Sequence, residues 1–171
     1  MTSQHRDMTR AAEVRRAAER LERDGRFGLT RKFIQHGSVS VYAHVCSVAK
    51  ASLAFADALS RLGVSVDRAS LLRGALLHDY FLYDWHVPDP SHRLHGFTHP
   101  HCALRRAEED FELTARERII IARHMFPLVP VPPTCREAWI VCLADKYCAL
   151  VETVAARLPK RRGARALKGA R

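Results

Sequence analysis

Gly74-Ala75-Leu76-Leu77-His78-Asp79 is the stretch whose reading decides the fold. A Leu- and Ala-rich run, preceded by Leu71 and Leu72, ends on an adjacent histidine and aspartate. A helix that packs a core seldom finishes on two polar side chains unless those side chains have partners. Neutral imidazole and carboxylate are both ligands for a divalent transition metal. The spacing therefore predicts a buried helix that delivers two ligand-type residues to the interior. Its weight depends on whether other His and Asp residues sit on other apolar faces.

Helical periodicity recurs on both sides of this stretch. Upstream, Val39 to Leu62 reads as a long helix with Val41, His44, Val45, Val48, Ser52, Phe55, Leu59 and Leu62 near one stripe. Gly63 supplies its stop, and Asp67 a cap for the helix that ends on the dyad. Residues 8–24 are charged and Ala-rich, a surface helix interrupted by Gly25 and Gly28. Downstream, Tyr80 to Thr98 lacks periodicity but holds Tyr80, Phe81, Tyr83, Trp85, His86, His92 and His95. A loop of that length in a compact domain is usually functional, and its aromatic content argues against disorder. Pro100 suits the first position of a helix reaching about Phe111. Thr114 and Glu117 form a capping box for another, ending near His124. Pro127, Pro130, Pro132 and Pro133 enforce an extended connection. The last helix, about Cys135 to Ala156, is apolar nearly all round and is expected at the centre.

No stretch alternates as a strand does, and there is no glycine-rich phosphate loop and no GxSxG. The expected fold is all-α, a single compact bundle of about six helices. It divides into an N-terminal helical extension (1–34), a metal-binding domain (35–156) and a basic tail (157–171). The 171 residues suffice for one domain with a real core. Seven of the 28 Lys and Arg fall in the tail without a single acid, so the remainder is nearly balanced against 18 acids. The tail could touch nucleic acid or anionic lipid, but a solvated terminus is the plainer expectation. No apolar run approaches membrane-spanning length and the N-terminus does not read as a signal peptide. Five scattered cysteines without CxxC read as reduced thiols, so a cytoplasmic location is expected.

Four helices, the one ending on the dyad included, each carry a ligand-type residue on the apolar stripe. His44 lies between Val41 and Val48, and His124 follows Ile120 and Ile121. Asp145 is flanked at helical spacing by Val141, Cys142, Cys148 and Ala149. His99 stands beside Pro100, with His101 as its rival. Any one of these satisfies itself by a hydrogen bond in many proteins. The full set in one small domain points to a shared cation, and mixed N and O ligands suit Mn, Fe, Co or Zn better than Ca.

The order His44, His78-Asp79, Asp145 resembles the H…HD…D pattern of the HD-domain phosphohydrolase superfamily, over roughly Gln35 to Glu152. His99-Pro100 and His124 are similar to two further positions of its dinuclear branch. The resemblance implies an all-α, metal-dependent phosphohydrolase that hydrolyses a phosphate ester, such as a nucleotide or related small molecule, with metal-activated water. It implies two divalent ions held by His44, His78, Asp79, His99, His124 and Asp145, with Asp79 bridging. Tyr80-Phe81-Leu82 follows the dyad where cyclic-dinucleotide phosphodiesterases carry Gly-Lys, there is no Gly-Tyr-Pro, and the acidic residues of alarmone hydrolases are missing. The substrate is therefore not carried over.

Other polar residues near the ligands are candidates by position alone. Asp84 and His86 are candidate general acids, beside Asp79 at the reaction centre. Trp85, His95, His101 and Arg123 are candidate substrate contacts, and Arg73 and Arg105 possible phosphate clamps. Lys146 points about 100° away from Asp145 on a helix, which argues against a role in the site. Two other classes share the pattern: a di-iron oxygenase of the same fold, and a non-catalytic metal- or nucleotide-binding module.

Overall fold

The structure, a computed structural model, describes residues 3–87, 89–90 and 94–157. His92 and the basic stretch from 158 onward lie outside these. Six α-helices account for most of the described chain: α1 (Ser3–Asp24), α2 (Val41–Arg61), α3 (Arg68–Leu77), α4 (His95–Asp110), α5 (Ala115–Arg123) and α6 (Arg136–Arg157). A 3-10 helix, Phe27–Lys32, and a two-stranded hairpin, β1 (Ile34–His36) with β2 (Val39–Ser40), join α1 to α2. The all-α expectation holds, and this hairpin is the whole sheet content of the described residues.

The caps read from sequence are in place. Asp67 Oδ1 accepts from the Ser70 amide at 3.1 Å, and Thr114 and Glu117 form the reciprocal capping box. Gly63 takes φ +78 after the C-cap of α2, a backbone conformation that favours glycine.

The helix at the centre is α3, not α6. It touches α1, α2, α4, α5 and α6, and Leu71, Leu72, Gly74, Ala75, Leu76 and Leu77 are all buried. Gly74 allows this. A Cβ built there would lie 2.6 Å from Ile120 Cδ1 and 3.0 Å from Ile120 Cβ, so α5 approaches α3 across a bare backbone. By contrast α6 buries Ala138, Ile140, Val141, Cys142, Ala144, Asp145 and Cys148 on one side only. Trp139, Leu143, Tyr147, Leu150, Val151 and Val154 are exposed. An apolar circumference predicts a central helix, but the outer face of α6 has no covering element among the described residues.

Three further expectations are corrected. First, α4 starts at His95, a turn before Pro100. The proline forfeits one bond, to the carbonyl of Gly96, and the helix runs through it. Second, the irregular segment therefore ends earlier than Thr98, and it begins inside the core: Tyr80 and Phe81 are fully buried, and Tyr80 hydroxyl donates to Asp110 at 2.6 Å. Third, Phe55 and Leu62 are exposed, because α2 leans on its neighbours along Val45, Ala49, Leu53 and Ala56. The N-terminal extension also joins the core through Val14, Ala18, Leu21 and Phe27.

Candidate metal centre

Five helices deliver one cluster. His44 comes from the first turn of α2, His78 and Asp79 from the end of α3, His99 from α4, His124 from the C-cap of α5, and Asp145 from the middle of α6. All six are buried, none more than 8 % exposed.

The outer nitrogen of every imidazole is occupied. Nδ1 of His78, His99 and His124 each lies 2.8 Å from a backbone carbonyl, those of Ala75, His95 and Ile121. Nδ1 of His44 lies 2.9 Å from Glu152 Oε2. A carbonyl or carboxylate only accepts, so these rings carry a proton on Nδ1 and turn Nε2 inward, the nitrogen left to hold a second proton or a metal ion. This orientation by an outer acceptor is what metal-ligating histidines use.

The inward atoms meet on Asp79. Its Oδ1 lies 3.2 Å from His99 Nε2 and 3.4 Å from His124 Nε2. Its Oδ2 lies 3.3 Å from His78 Nε2 and 3.9 Å from His44 Nε2. One carboxylate thus offers one oxygen to each histidine pair. Asp145 Oδ1 completes the second side, 3.1 Å from His44 Nε2 and 3.7 Å from His78 Nε2. Three overlapping triads result: His44, His78 and Asp79; His78, His124 and Asp145; Asp79, His99 and His124.

The donor set fits a cation. His78 Nε2 and Asp79 Oδ1 are buried without any hydrogen bond. His99 Nε2 and His124 Nε2 stand 2.9 Å apart, two lone pairs facing each other once both Nδ1 atoms are donating. Buried acceptors arranged so are costly unless a positive centre lies between them. The residues present therefore suit a divalent metal.

Electrostatics follow from the same contacts. Burial pushes the Asp79 carboxyl up, but the charge of His78 and the imidazoles of His124 and His99 outweigh it and hold it well below the usual range. Burial acts likewise on Asp145, which His44 and His78 pull far down. Burial opposes charge on His44, yet its bonds to Asp145 and Glu152 raise it to about 9. His124 is lowered, because burial dominates there.

A cleft of about 640 Å³ opens over the cluster, lined among others by Gln35, His36, Asp79, Trp85, His95, Met125, Leu128, Asp145 and Lys146. Trp85 stacks on His95 (4.9 Å, 5°), and His95 on His99 (4.7 Å, 23°), a column of rings that walls one side of the cleft with its edges. Trp85 and His95, read from sequence, are thus beside the metal ligands. Asp84 and His86 are exposed at the outer lip and bond each other at 3.1 Å, and His86 lines a smaller adjoining cavity. His101 is exposed on the outer side of α4, about 200° round from His99. Arg123 donates to the Pro132 carbonyl at 2.9 Å, and Arg73 pairs with Glu117 at 3.3 Å, so neither is among the cleft's lining residues. Arg105 is exposed on α4.

Four site residues were not read from sequence in their roles. Gln35 Nε2 donates to Asp79 Oδ2 at 2.8 Å, and His36 lines the cleft; both sit on β1, which carries no helical signal. Glu152 is one more acid on a helix until its distance to His44 is known. Lys146 starts outward, but its long stem folds back, and Nζ donates to the carbonyl of His124 at 2.9 Å.

A helical bundle with a buried His/Asp centre at the floor of a cleft defines a metal-binding domain. The chain belongs to the HD domain family, whose model matches residues 41–150. Comparison with curated proteins and with solved structures returns no match to either.

Proposed function

We propose that this protein is a phosphohydrolase that cleaves a phosphate ester of a small molecule, a nucleotide or related compound. His44, His78, Asp79 and Asp145 would hold one divalent transition ion, and Asp79, His99 and His124 a second. The observation that carries this reading is Asp79, with one oxygen toward each histidine pair beneath an open cleft.

When bound, such ions supply Lewis acidity: an acidified water at neutral pH and a positive field for the phosphoryl oxygens. The chain supplies the rest. Lys146 lines the cleft, and its ammonium, bonded to the carbonyls of His124 and Cys142, adds positive charge on the side where an anionic ester would lie. The edges of the Trp85–His95–His99 column offer an aromatic side against which a base can pack. Gln35 fixes the Asp79 carboxylate from above. The cleft imidazoles His36 and His95 are better placed than Asp84 and His86 to protonate a leaving oxygen, since the latter pair faces solvent.

The test is metal analysis of protein purified without chelator, followed by phosphate release from a panel of phosphomonoesters and diesters. Turnover that depends on added Mn, Fe, Co or Zn supports the reading. Oxygen consumption by the iron-loaded protein without phosphate release would replace it with the oxygenase class. Tight nucleotide binding without turnover would replace it with a sensing module.

A further inference from the structure

The outer face of α6 is apolar and exposed. Trp139, Leu143, Tyr147, Leu150, Val151 and Val154 are 39 to 64 % exposed. At 100° per residue they fall within about 120° of the helix and run about 22 Å along it. Their exposed surface is roughly 600 Å², at the top of the range a monomer leaves in one patch and about three quarters of one partner's share of a standard interface. No acid lies on this stripe. Lys146, along its side, turns its ammonium back to the carbonyls of His124 and Cys142. Residues 158–171 hold six Lys or Arg and only Leu158 and Leu167 as large apolar side chains, too few to cover the stripe.

We propose that a second copy of this chain covers it, with the two α6 helices antiparallel about a two-fold axis. The stripe complements its own image. The midpoint of Trp139 and Val154 falls between Lys146 and Tyr147, so the axis passes beside Tyr147. The pairing then sets the largest side chain, Trp139, opposite the small Val154 of the other copy, and Leu143 opposite Leu150. The two Tyr147 hydroxyls meet near the axis, where each has a partner that a hydrocarbon surface would deny it. The stripe has no charge to repel its copy. Arg136 and Arg157 stand beyond its two ends and face each other at the solvated rim. The interface lies beside the cleft, because Lys146 and Ala149 on the same helix line its mouth.

The test is light scattering of the metal-loaded full chain during gel filtration, at about 50 µM, a concentration that populates a standard interface. The expected mass is twice the 19.4 kDa of the chain. Because Arg136 faces Arg157, Kd should fall about threefold or more between low and high salt, where rim repulsion is screened. Leu143→Glu and Leu150→Lys should each give monomers with unchanged far-UV circular dichroism, since both side chains are exposed in the single chain. The double variant L143E/L150K should recover the dimer, because the antiparallel register puts the new carboxylate opposite the new ammonium. A monomeric wild-type chain overturns the proposal. So does a dimer that survives both single variants, or a double variant that stays monomeric. Co-sedimentation of a monomeric wild type with phosphatidylserine vesicles, lost in L143E, would assign the stripe to a lipid surface instead.

Discussion

Replacing Gly74 with alanine should destabilise the protein, against what helix propensity alone requires. A glycine inside α3 costs about 1 kcal/mol relative to alanine, so the substitution starts with that gain. The new methyl would lie 2.6 Å from Ile120 Cδ1, 2.9 Å from Cγ2 and 3.0 Å from Cβ. Ordinary carbon contacts are about 3.5–4.0 Å, so all three atoms are too close. Cδ1 can swing away, but Cγ2 and Cβ are fixed by a stiff β-branched χ1 on a fully buried residue. The helices must part, and overpacking of this kind costs about 1–3 kcal/mol. The net is a loss of up to about 2 kcal/mol, or several degrees in Tm for a domain of this size. Thermal melts in chelator would measure it. Ile120→Val, which removes Cδ1, should cost less in the Gly74→Ala background than alone. A Tm that rises by several degrees in Gly74→Ala would show that α3 and α5 are not in the contact described.

The remaining predictions concern the centre and its surroundings. His99→Ala or His124→Ala should lower Mn stoichiometry from about two to about one with the fold intact, and Asp79→Ala should empty both positions, by elemental analysis of desalted protein. Glu152→Gln should weaken metal binding about 10–100-fold in a chelator competition, because His44 loses its charged Nδ1 acceptor. Trp85→Ala should raise KM or lower kcat more than it lowers Tm; normal kinetics in a destabilised variant would make the wall structural. Burial raises the Asp110 carboxyl, but Arg26 and Tyr80 bring it below its ordinary value. Its folded pKa is the lower one, so its stabilisation is present above the unfolded carboxylate value and lost as pH falls through the folded one. Asp110→Asn should therefore flatten the loss of stability below about pH 4, in acid titrations followed by circular dichroism.

The ligand-type residues were legible because burial of a His or Asp on an apolar stripe is a conflict that sequence displays. His44, His124 and Asp145 each interrupt such a stripe, and the HD pattern binds them into one set. What surrounds them was not legible, for physical reasons. Gln35 and His36 ride on a three-residue strand, too short for any periodicity. Lys146 depends on how a flexible stem folds after leaving the helix. Glu152 depends on the distance between α2 and α6. The start of α4 was misread because one proline was taken as a boundary, when a helix can lose a single bond and continue. The place of α6 was misread because an apolar circumference was equated with the centre of one chain, while Gly74, a poor helix former, marks where the helices crowd most.

The imidazole–carboxylate contacts also bear on how the protein exists before it meets metal. With His44 held near pH 9 and His78 raised well above its usual value, two imidazolium charges stand against two ionised carboxylates, Asp79 and Asp145. The two imidazolium charges offset the two buried carboxylates, with Glu152 outside them against His44. Loading becomes an exchange rather than an addition: each ion that enters displaces protons that held its place. At neutral pH about two should be ejected into solvent as the site fills, detectable with an indicator dye in weak buffer. Apparent affinity should climb with pH until about 9, where His44 surrenders its proton unaided. The metal-free protein is thus a folded acceptor whose readiness is set by ambient acidity.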